Sequence, residues 1–306
     1  MAVNQTLQLP ALPRPRIVLE LLKPITWFPP MWAYLCGVVS SGVAVGAHWP
    51  LALLGVLVAG PLVCAMSQAA NDWCDRHVDA INEPDRPIPS GRLPGRWGLW
   101  IALGWTVLSL WAASFLGPWG FGAAVFAVAA AWAYSAEPVR LKRSWIWGPG
   151  IVGLCYEGLP WFTGAAVMAA ASGGTISWQV VAVAALYALG AHGIMTLNDF
   201  KAVEGDAREG VRSMPVVLGP DRAARISCLV IAVPQMGVIL LLLLWQLPLY
   251  AAAVMVLLAL QGLAMRRLLA DPRGRAPWYN ATGVLLYVLG MMTTAIALSS
   301  LREALP

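Results

Sequence analysis

Asn71, Asp72, Asp75 and Asp79 set four oxygen-bearing side chains within one short segment, and Asn198, Asp199, Glu204 and Asp206 do so again downstream. Carboxylate and amide oxygens without a His or Cys partner suit hard cations, Mg2+ above all, which keeps some of its waters and takes phosphate oxygens to complete its shell. More than half of the chain's 15 acidic residues fall within 71–85 and 198–206, and charges gathered so tightly repel one another unless a cation joins them. If a helix continues through the first block, Asn71, Asp75 and Asp79 at i, i+4 and i+8 form one stripe with Asp72 beside it, and His77 faces away. In the second block Asp199 and Asp206 are seven residues apart, two helical turns, and are expected to point the same way.

Laid over each other, the blocks share Asn at the first position, Asp at the next and Asp at the ninth, while Asp75 has Ala202 as its counterpart. An arginine followed by proline and glycine comes after each: Arg86-Pro87-Ile88-Pro89-Ser90-Gly91, and Arg212-Ser213-Met214-Pro215 with Gly219. This is a short internal repeat. Solvated loop charges would not reproduce the pattern twice. Metal ions held between two such blocks would bind an anion that carboxylates alone would repel, and Lys142, Lys201, Arg86, Arg208 and Arg212 add positive charge on the same side. Together these residues describe a site for a polyphosphate.

The elements that must carry them are membrane helices. Charged residues make up 11% of the 306 and apolar ones 59%, far from the quarter-charged composition of ordinary soluble domains. Stretches of about 20 apolar residues, enough to cross a bilayer, fall near 24–46, 49–70, 97–117, 119–136, 144–170, 177–197, 226–245, 247–265 and 276–301. The expectation is an all-α membrane protein of nine transmembrane helices: a cytoplasmic segment 1–23, then a single domain 24–301. The division between the third and fourth helices rests on Gly117-Pro118. With nine crossings, 19 of the 20 Lys and Arg lie on the side of the N-terminus and only Arg302 lies opposite, so that side is the cytoplasmic one.

Other features are quieter. The first sixteen residues lack the short apolar core and cleavage site of a signal peptide. The net charge of +5 sits in loops that face anionic lipid headgroups rather than nucleic acid. Cys36, Cys64, Cys155 and Cys228 read as small buried hydrophobes, leaving Cys74 alone near the chemistry. Many of the 16 Trp, such as Trp49, Trp97, Trp145 and Trp278, fall near helix ends as interfacial anchors do.

These motifs resemble those of the UbiA family of intramembrane prenyltransferases, which carry two Asp-rich motifs at the cytoplasmic ends of helices 2 and 6 of a nine-helix fold around a central cavity. The similarity covers nearly the whole chain. Within the family, the run from Asn71 through Asp79-Ala80-Ile81-Asn82-Glu83-Pro84 to Gly91, and Asn198-Asp199-Phe200-Lys201-Ala202 with Glu204-Gly205-Asp206, look like the signature of the pigment-esterifying chlorophyll and bacteriochlorophyll synthase branch. The resemblance implies that geranylgeranyl or phytyl diphosphate is joined to the propionate of bacteriochlorophyllide a, in a bacterial inner or intracytoplasmic photosynthetic membrane. It implies that Asn71, Asp75 and Asp79, with Asn198, Asp199 and Asp206, hold Mg2+ and through it the diphosphate, supported by Asp72. The second motif departs from the family's DxxxD spacing, since Val203 stands four residues after Asp199 and Glu204 is the nearest substitute.

By the same resemblance Tyr134 lies near the reacting carbon and Lys142 near the diphosphate. Lys23, at the start of the first helix, reaches the diphosphate or merely lipid phosphate. Glu157 is the only acid inside an expected span, which makes it a functional candidate by default: it either bonds a carbonyl of the pigment as the neutral acid or pairs with a polar helix neighbour. His192, six residues before Asn198 and so about 9 Å up the helix, is at a depth to meet the pigment, or it is a packing histidine. Chlorophyllide esterification, ring prenylation of a quinone precursor, and a non-catalytic transporter or pigment-handling protein remain alternatives.

Overall fold

Among the described residues seven helical stretches are long and apolar enough to cross a membrane: Val45–Asn82, Trp97–Ser135, Trp147–Ala171, Trp178–Lys201, Pro220–Leu244, Pro248–Ala270 and Pro272–Arg302. The chain is an integral, all-helical membrane protein. The computed structural model describes residues 12–208 and 210–303, so residues 1–11 of the expected N-terminal segment lie outside the described residues. Its helices are α1 Pro15–Leu22, α2 Phe28–Ser40, α3 Val45–Leu57, α4 Ala65–Asn82, α5 Trp97–Ala113, α6 Gly117–Ser135, α7 Trp147–Gly153, α8 Leu159–Ala171, α9 Trp178–Asn198, α10 Val203–Arg208, α11 Met214–Leu218, α12 Pro220–Leu244, α13 Pro248–Ala270 and α14 Pro272–Glu303. A π-helical turn joins α3 to α4 at Val58–Cys64, and a second joins α7 to α8 at Leu154–Gly158.

The stretch Trp97–Ser135 is a hairpin. The Trp132 indole donates to Thr106 Oγ1 at 3.2 Å although the two are 26 residues apart, a separation of about 39 Å on a straight helix. The fold-back is made at Gly117, whose φ of 74° only glycine adopts without cost. The expected boundary at Gly117-Pro118 is where the chain reverses.

α2 is short for a membrane crossing, yet it packs into the middle of the bundle. A Cβ added at Gly37 would collide with the Trp161 carbonyl and one at Gly164 with the Tyr34 carbonyl, so α2 and α8 approach to backbone contact, as small residues permit in membranes. The Trp32 indole donates to the Val288 carbonyl at 2.8 Å and the Trp161 indole to Ser40 Oγ at 3.0 Å. Trp161 stacks on Tyr187 with ring centroids 5.4 Å apart, and Tyr187 meets Tyr287 edge-on at 5.2 Å, which ties α8, α9 and α14 together. On the far side, Gln235 Nε2 donates to Gln261 Oε1 at 2.7 Å and Gln261 Nε2 to the Gly283 carbonyl at 2.9 Å, a polar clasp among α12, α13 and α14.

The two acidic blocks are built differently. α4 continues unbroken through the first, as the stripe of oxygens requires. The second is not one helix, and the expectation that Asp199 and Asp206 share a helical face is corrected. α9 ends at Asn198, a 3-10 turn covers Asp199–Lys201, Ala202 leaves the helical region at φ −114° and ψ 9°, and α10 then starts afresh. The tightened turn carries Phe200 into the core at 4% exposure, and burying that ring offsets helical hydrogen bonds lost at the break.

Candidate functional site

α4, α6, α7, α9 and α14 surround a cavity of about 1420 Å3, bordered at one end by both acidic blocks and extending inward past Tyr134 and Tyr156 to Glu157. It is larger than the clefts that hold drug-sized ligands. Asp75 and Asp199 both border it, so the two blocks face a common volume. They also touch: a Cβ at Gly205 would stand 3.0 Å from the Asn82 amide nitrogen, which seats α10 directly on the last residue of α4.

Each carboxylate of the first block is buried and matched by a cation. Lys23 Nζ stands 2.6 Å from Asp72 Oδ1. Arg86 reaches Asp79 Oδ2 at 2.7 Å, Asp72 Oδ1 at 3.3 Å and Glu83 Oε2 at 2.5 Å. Burial works against the charge of Arg86, but Asp72 and Asp79 outweigh it and hold the guanidinium above its ordinary pKa. Asp75 accepts from Arg140 at 3.1 Å, pairs with Lys142 at close range, and takes the Asn71 amide at 2.9 Å on its other oxygen. Asn71 also reaches Ser135 Oγ at 3.4 Å. Lys23 attains its position through a left-handed backbone, φ 48°, at the junction between α1 and the first bundle helix. α1 is in turn fastened by Glu20, which takes both terminal nitrogens of Arg92 at 2.7 Å.

The second block is bordered by fewer cations. The Asp199 carboxylate makes no hydrogen bond or ion pair among the described residues and lies within electrostatic reach of Asp206 and Lys201. Glu204 meets Arg273 at 3.5 Å in an exposed pair. Asn198 Oδ1 accepts from Asn280 Nδ2 at 2.7 Å, so the last long helix braces the start of the block. Lys201 and Arg208 border the same cavity.

This donor set fits a hard divalent ion, though not as a ready-made cage: among the described residues no three His, Cys, Asp or Glu side chains come together closely enough to hold one. Mg2+ is commonly held by one or two carboxylates with substrate phosphates filling the rest. Asp199 and Asp206 with Asn198, facing Asn71, Asp75 and Asp79, offer that.

Two sequence expectations lie elsewhere. His192 does not border the cavity. Its Nε2 lies 3.2 Å from the Ile146 carbonyl, and α7 covers it, because Gly150 and Gly153 let α7 press onto α9 at His192. Arg212 is likewise outside the cavity lining, its backbone N–H donating to the Arg143 carbonyl at 3.2 Å. Conversely, sequence reasoning missed Arg140, Asn280, and the pair Gln68 and Tyr156, whose amide and hydroxyl meet at 3.0 Å on the cavity wall. Gln68 stands one turn before Asn71 on the same stripe, a signal that periodicity could have supplied.

The model of the UbiA prenyltransferase family matches residues 27–298. The chain is 65% identical over its full length, and that of the relative, to the bacteriochlorophyll synthase 33 kDa chain of Cereibacter sphaeroides. It is 44% identical to the bacteriochlorophyll synthase 34 kDa chain of Chloroflexus aurantiacus, over 92% of this chain and 90% of that one. With the chloroplastic chlorophyll synthase of Oryza sativa it shares 36% over 93% of this chain and 77% of the plant protein. Among solved structures, a UbiA homolog from Archaeoglobus fulgidus bound to GPP and Mg2+ superposes with a TM-score of 0.71 at 20% identity, over 90% of this chain and 99% of that one, a likeness of fold.

Proposed function

The chain belongs to the UbiA prenyltransferase family, and from its site we propose that it esterifies the propionate of bacteriochlorophyllide a with geranylgeranyl or phytyl diphosphate, releasing diphosphate. The observation that carries this is the meeting of two carboxylate blocks over one cavity, walled by cations at the mouth and by apolar helices within. Nine crossings with a cytoplasmic N-terminus, in the inner or intracytoplasmic membrane of a bacterium, complete the reading. The hairpin at Gly117 and the embedded α2, added to the seven long stretches, support the count of nine, and the Lys and Arg asymmetry supports the orientation.

When bound at Asn198, Asp199 and Asp206, and across from them at Asn71, Asp75 and Asp79, Mg2+ would neutralise charge that builds on the leaving diphosphate. Lys142, Lys201, Arg86, Arg208 and Lys23 add fixed positive charge around the same volume. Preorganised charge of this kind contributes most where water is excluded. The acceptor's propionate oxygen forms a bond to the first carbon of the prenyl chain as that carbon's bond to diphosphate breaks, the electron pair leaving with the diphosphate. A carboxylic acid is ionised near neutral pH, with a reference pKa of about 4, so no general base is needed. Tyr134 presents its ring near the reacting carbon, where an aromatic face favours developing positive charge. The apolar walls keep water from capturing that carbon as an alcohol.

Membranes carrying the protein, supplied with Mg2+, labelled geranylgeranyl diphosphate and a panel of acceptors, test this directly. Labelled ester from bacteriochlorophyllide a is the expected result. Product only from chlorophyllide or from a quinone precursor would reassign the acceptor, and uptake without any product would indicate a transporter or pigment carrier.

A further inference from the structure

Glu157 lies inside the stretch Trp147–Ala171, about 15 Å along the helix from Trp147 and so near the middle of a ~30 Å hydrocarbon layer. It is 3% exposed, borders the inner end of the cavity, and has its Oε2 buried without a hydrogen-bond partner. No Lys, Arg or His pairs with it among the described residues. Tyr287, on the neighbouring α14, already gives its hydroxyl proton to the Tyr187 carbonyl. The carboxyl is held firmly. Glu157 sits in the π-helical turn Leu154–Gly158, and a Cβ at Gly153 would stand 2.9 Å from the Ala188 carbonyl and one at Gly158 2.7 Å from the Ala188 side chain. The segment is thus pressed onto α9 on both sides of the acid. Wide turns of this kind interrupt helices mostly where function needs a side chain re-aimed.

A carboxyl at this depth with no cation beside it is cheapest uncharged, and the uncharged acid has one O–H to give. An apolar prenyl tail offers nothing to receive it. An acceptor whose reacting carboxylate lies at the mouth among the cations would bring the part of its ring remote from that carboxylate to this level. We propose that Glu157 donates a hydrogen bond to the ring carbonyl farthest from the reacting carboxylate and so selects acceptors that carry it. This deepens the function proposed above and rests on it. In bacteriochlorophyllide a the carbonyl in question is the acetyl group.

The test compares bacteriochlorophyllide a with its 3-vinyl analogue, identical except that the acetyl carbonyl is missing, in the wild type and in Glu157→Gln and Glu157→Leu. One ordinary hydrogen bond corresponds to roughly a tenfold change. The wild type should show a KM about tenfold higher for the vinyl acceptor. Glu157→Leu should raise the KM for the acetyl acceptor to that level while leaving the vinyl KM and the diphosphate KM unchanged, and Glu157→Gln, which keeps a donor, should restore the preference. Equal KM values for the two acceptors in the wild type would overturn the proposal even if the leucine variant failed to fold. So would a leucine variant that loses both acceptors alike, the mark of a purely structural role. A wild type that forms no ester from either acceptor would instead remove the reading of function.

Discussion

The two acidic blocks differ in how their charge is met. On α4, one straight helix, Asp72, Asp75 and Asp79 are each engaged by Lys23, Arg86, Arg140 or Lys142. Across the cavity Asn198, Asp199 and Asp206 are spread over a helix end, a 3-10 turn and a fresh helix, and Asp199 has no ion pair among the described residues. The first block is therefore part of the protein's own framework, with its cations held in register for an anion. The second has ligating capacity left over. We propose that similar motifs take unequal shares in one site: the first block holds the basic groups in place and faces the metal ion from across the cavity, while the second, through Asp199, offers the carboxylate that no cation engages among the described residues.

Asp199→Asn tests that contrast most severely. It should lower kcat by about 100- to 1000-fold, the scale of removing one preorganised electrostatic group, with no loss of thermal stability in EDTA. Chelation of the wild type should reproduce the activity loss, and Mg2+ should reverse it. Asp75→Asn should behave differently, because in a buried setting it removes the carboxylate charge paired with Lys142 and one of the two carboxylates, Asp75 and Glu137, that pair with Arg140. Breaking such a pair costs about 3–5 kcal/mol, so a lowered Tm in metal-free detergent should accompany the lost activity. If Asp75→Asn leaves Tm untouched while Asp199→Asn lowers it, the roles assigned to the blocks are reversed.

A smaller effect is expected from Asn280→Leu. Without its brace Asn198 is free to turn, and outer-shell losses of this kind weaken metal affinity by about 10- to 100-fold. The Mg2+ concentration for half-maximal rate should rise accordingly, with kcat at saturating Mg2+ nearly unchanged. The smallest effect belongs to Glu20→Gln at the surface clasp with Arg92. The hydrogen bond from Arg92 holds the Glu20 carboxyl below its ordinary pKa. Its contribution is fully present above the unfolded carboxylate pKa and fades only as pH falls through the lower folded value. Melting curves of the two proteins should superpose from about pH 6 to 8, since exposed pairs contribute little.

The sequence already carried the stripe of oxygens on α4, because helical periodicity and the i, i+4 spacing of Asn71, Asp75 and Asp79 leave one geometry open. It carried the convergence of the blocks too, through the repeat and the one-sided distribution of Lys and Arg. The break at Ala202 was not legible, since it depends on burying Phe200 against helices distant in sequence. Arg140 and Asn280 were missed for a similar reason: each is a single polar residue whose partner lies on another element, Asp75 65 residues away and Asn198 82 residues away. Lys142 was legible from the sequence as charge on the same side, and its expected place near the diphosphate came only through family resemblance. For His192 the sequence left a pigment contact and a packing role both open, because depth along a helix was legible and azimuth against α7 was not; its contact with α7 fits the packing role.

The π-helical turn Val58–Cys64 has a consequence for how this chain can vary. An α-helix advances about 100° per residue, and a turn of the wider kind accommodates one residue beyond the ordinary winding. Deleting a single amino acid there would let α3 and α4 fuse into a regular coil with little change in the direction that α4 faces, whereas the same deletion from the regular winding between Ala65 and Ala70 would swing everything after it by roughly a quarter revolution. Asn71, Asp75 and Asp79 would then leave the chamber together while every residue type in the motif stayed the same. A change in length of one in that regular stretch would silence the motif as thoroughly as erasing its carboxylates, while the same change inside the wide turn would spare it.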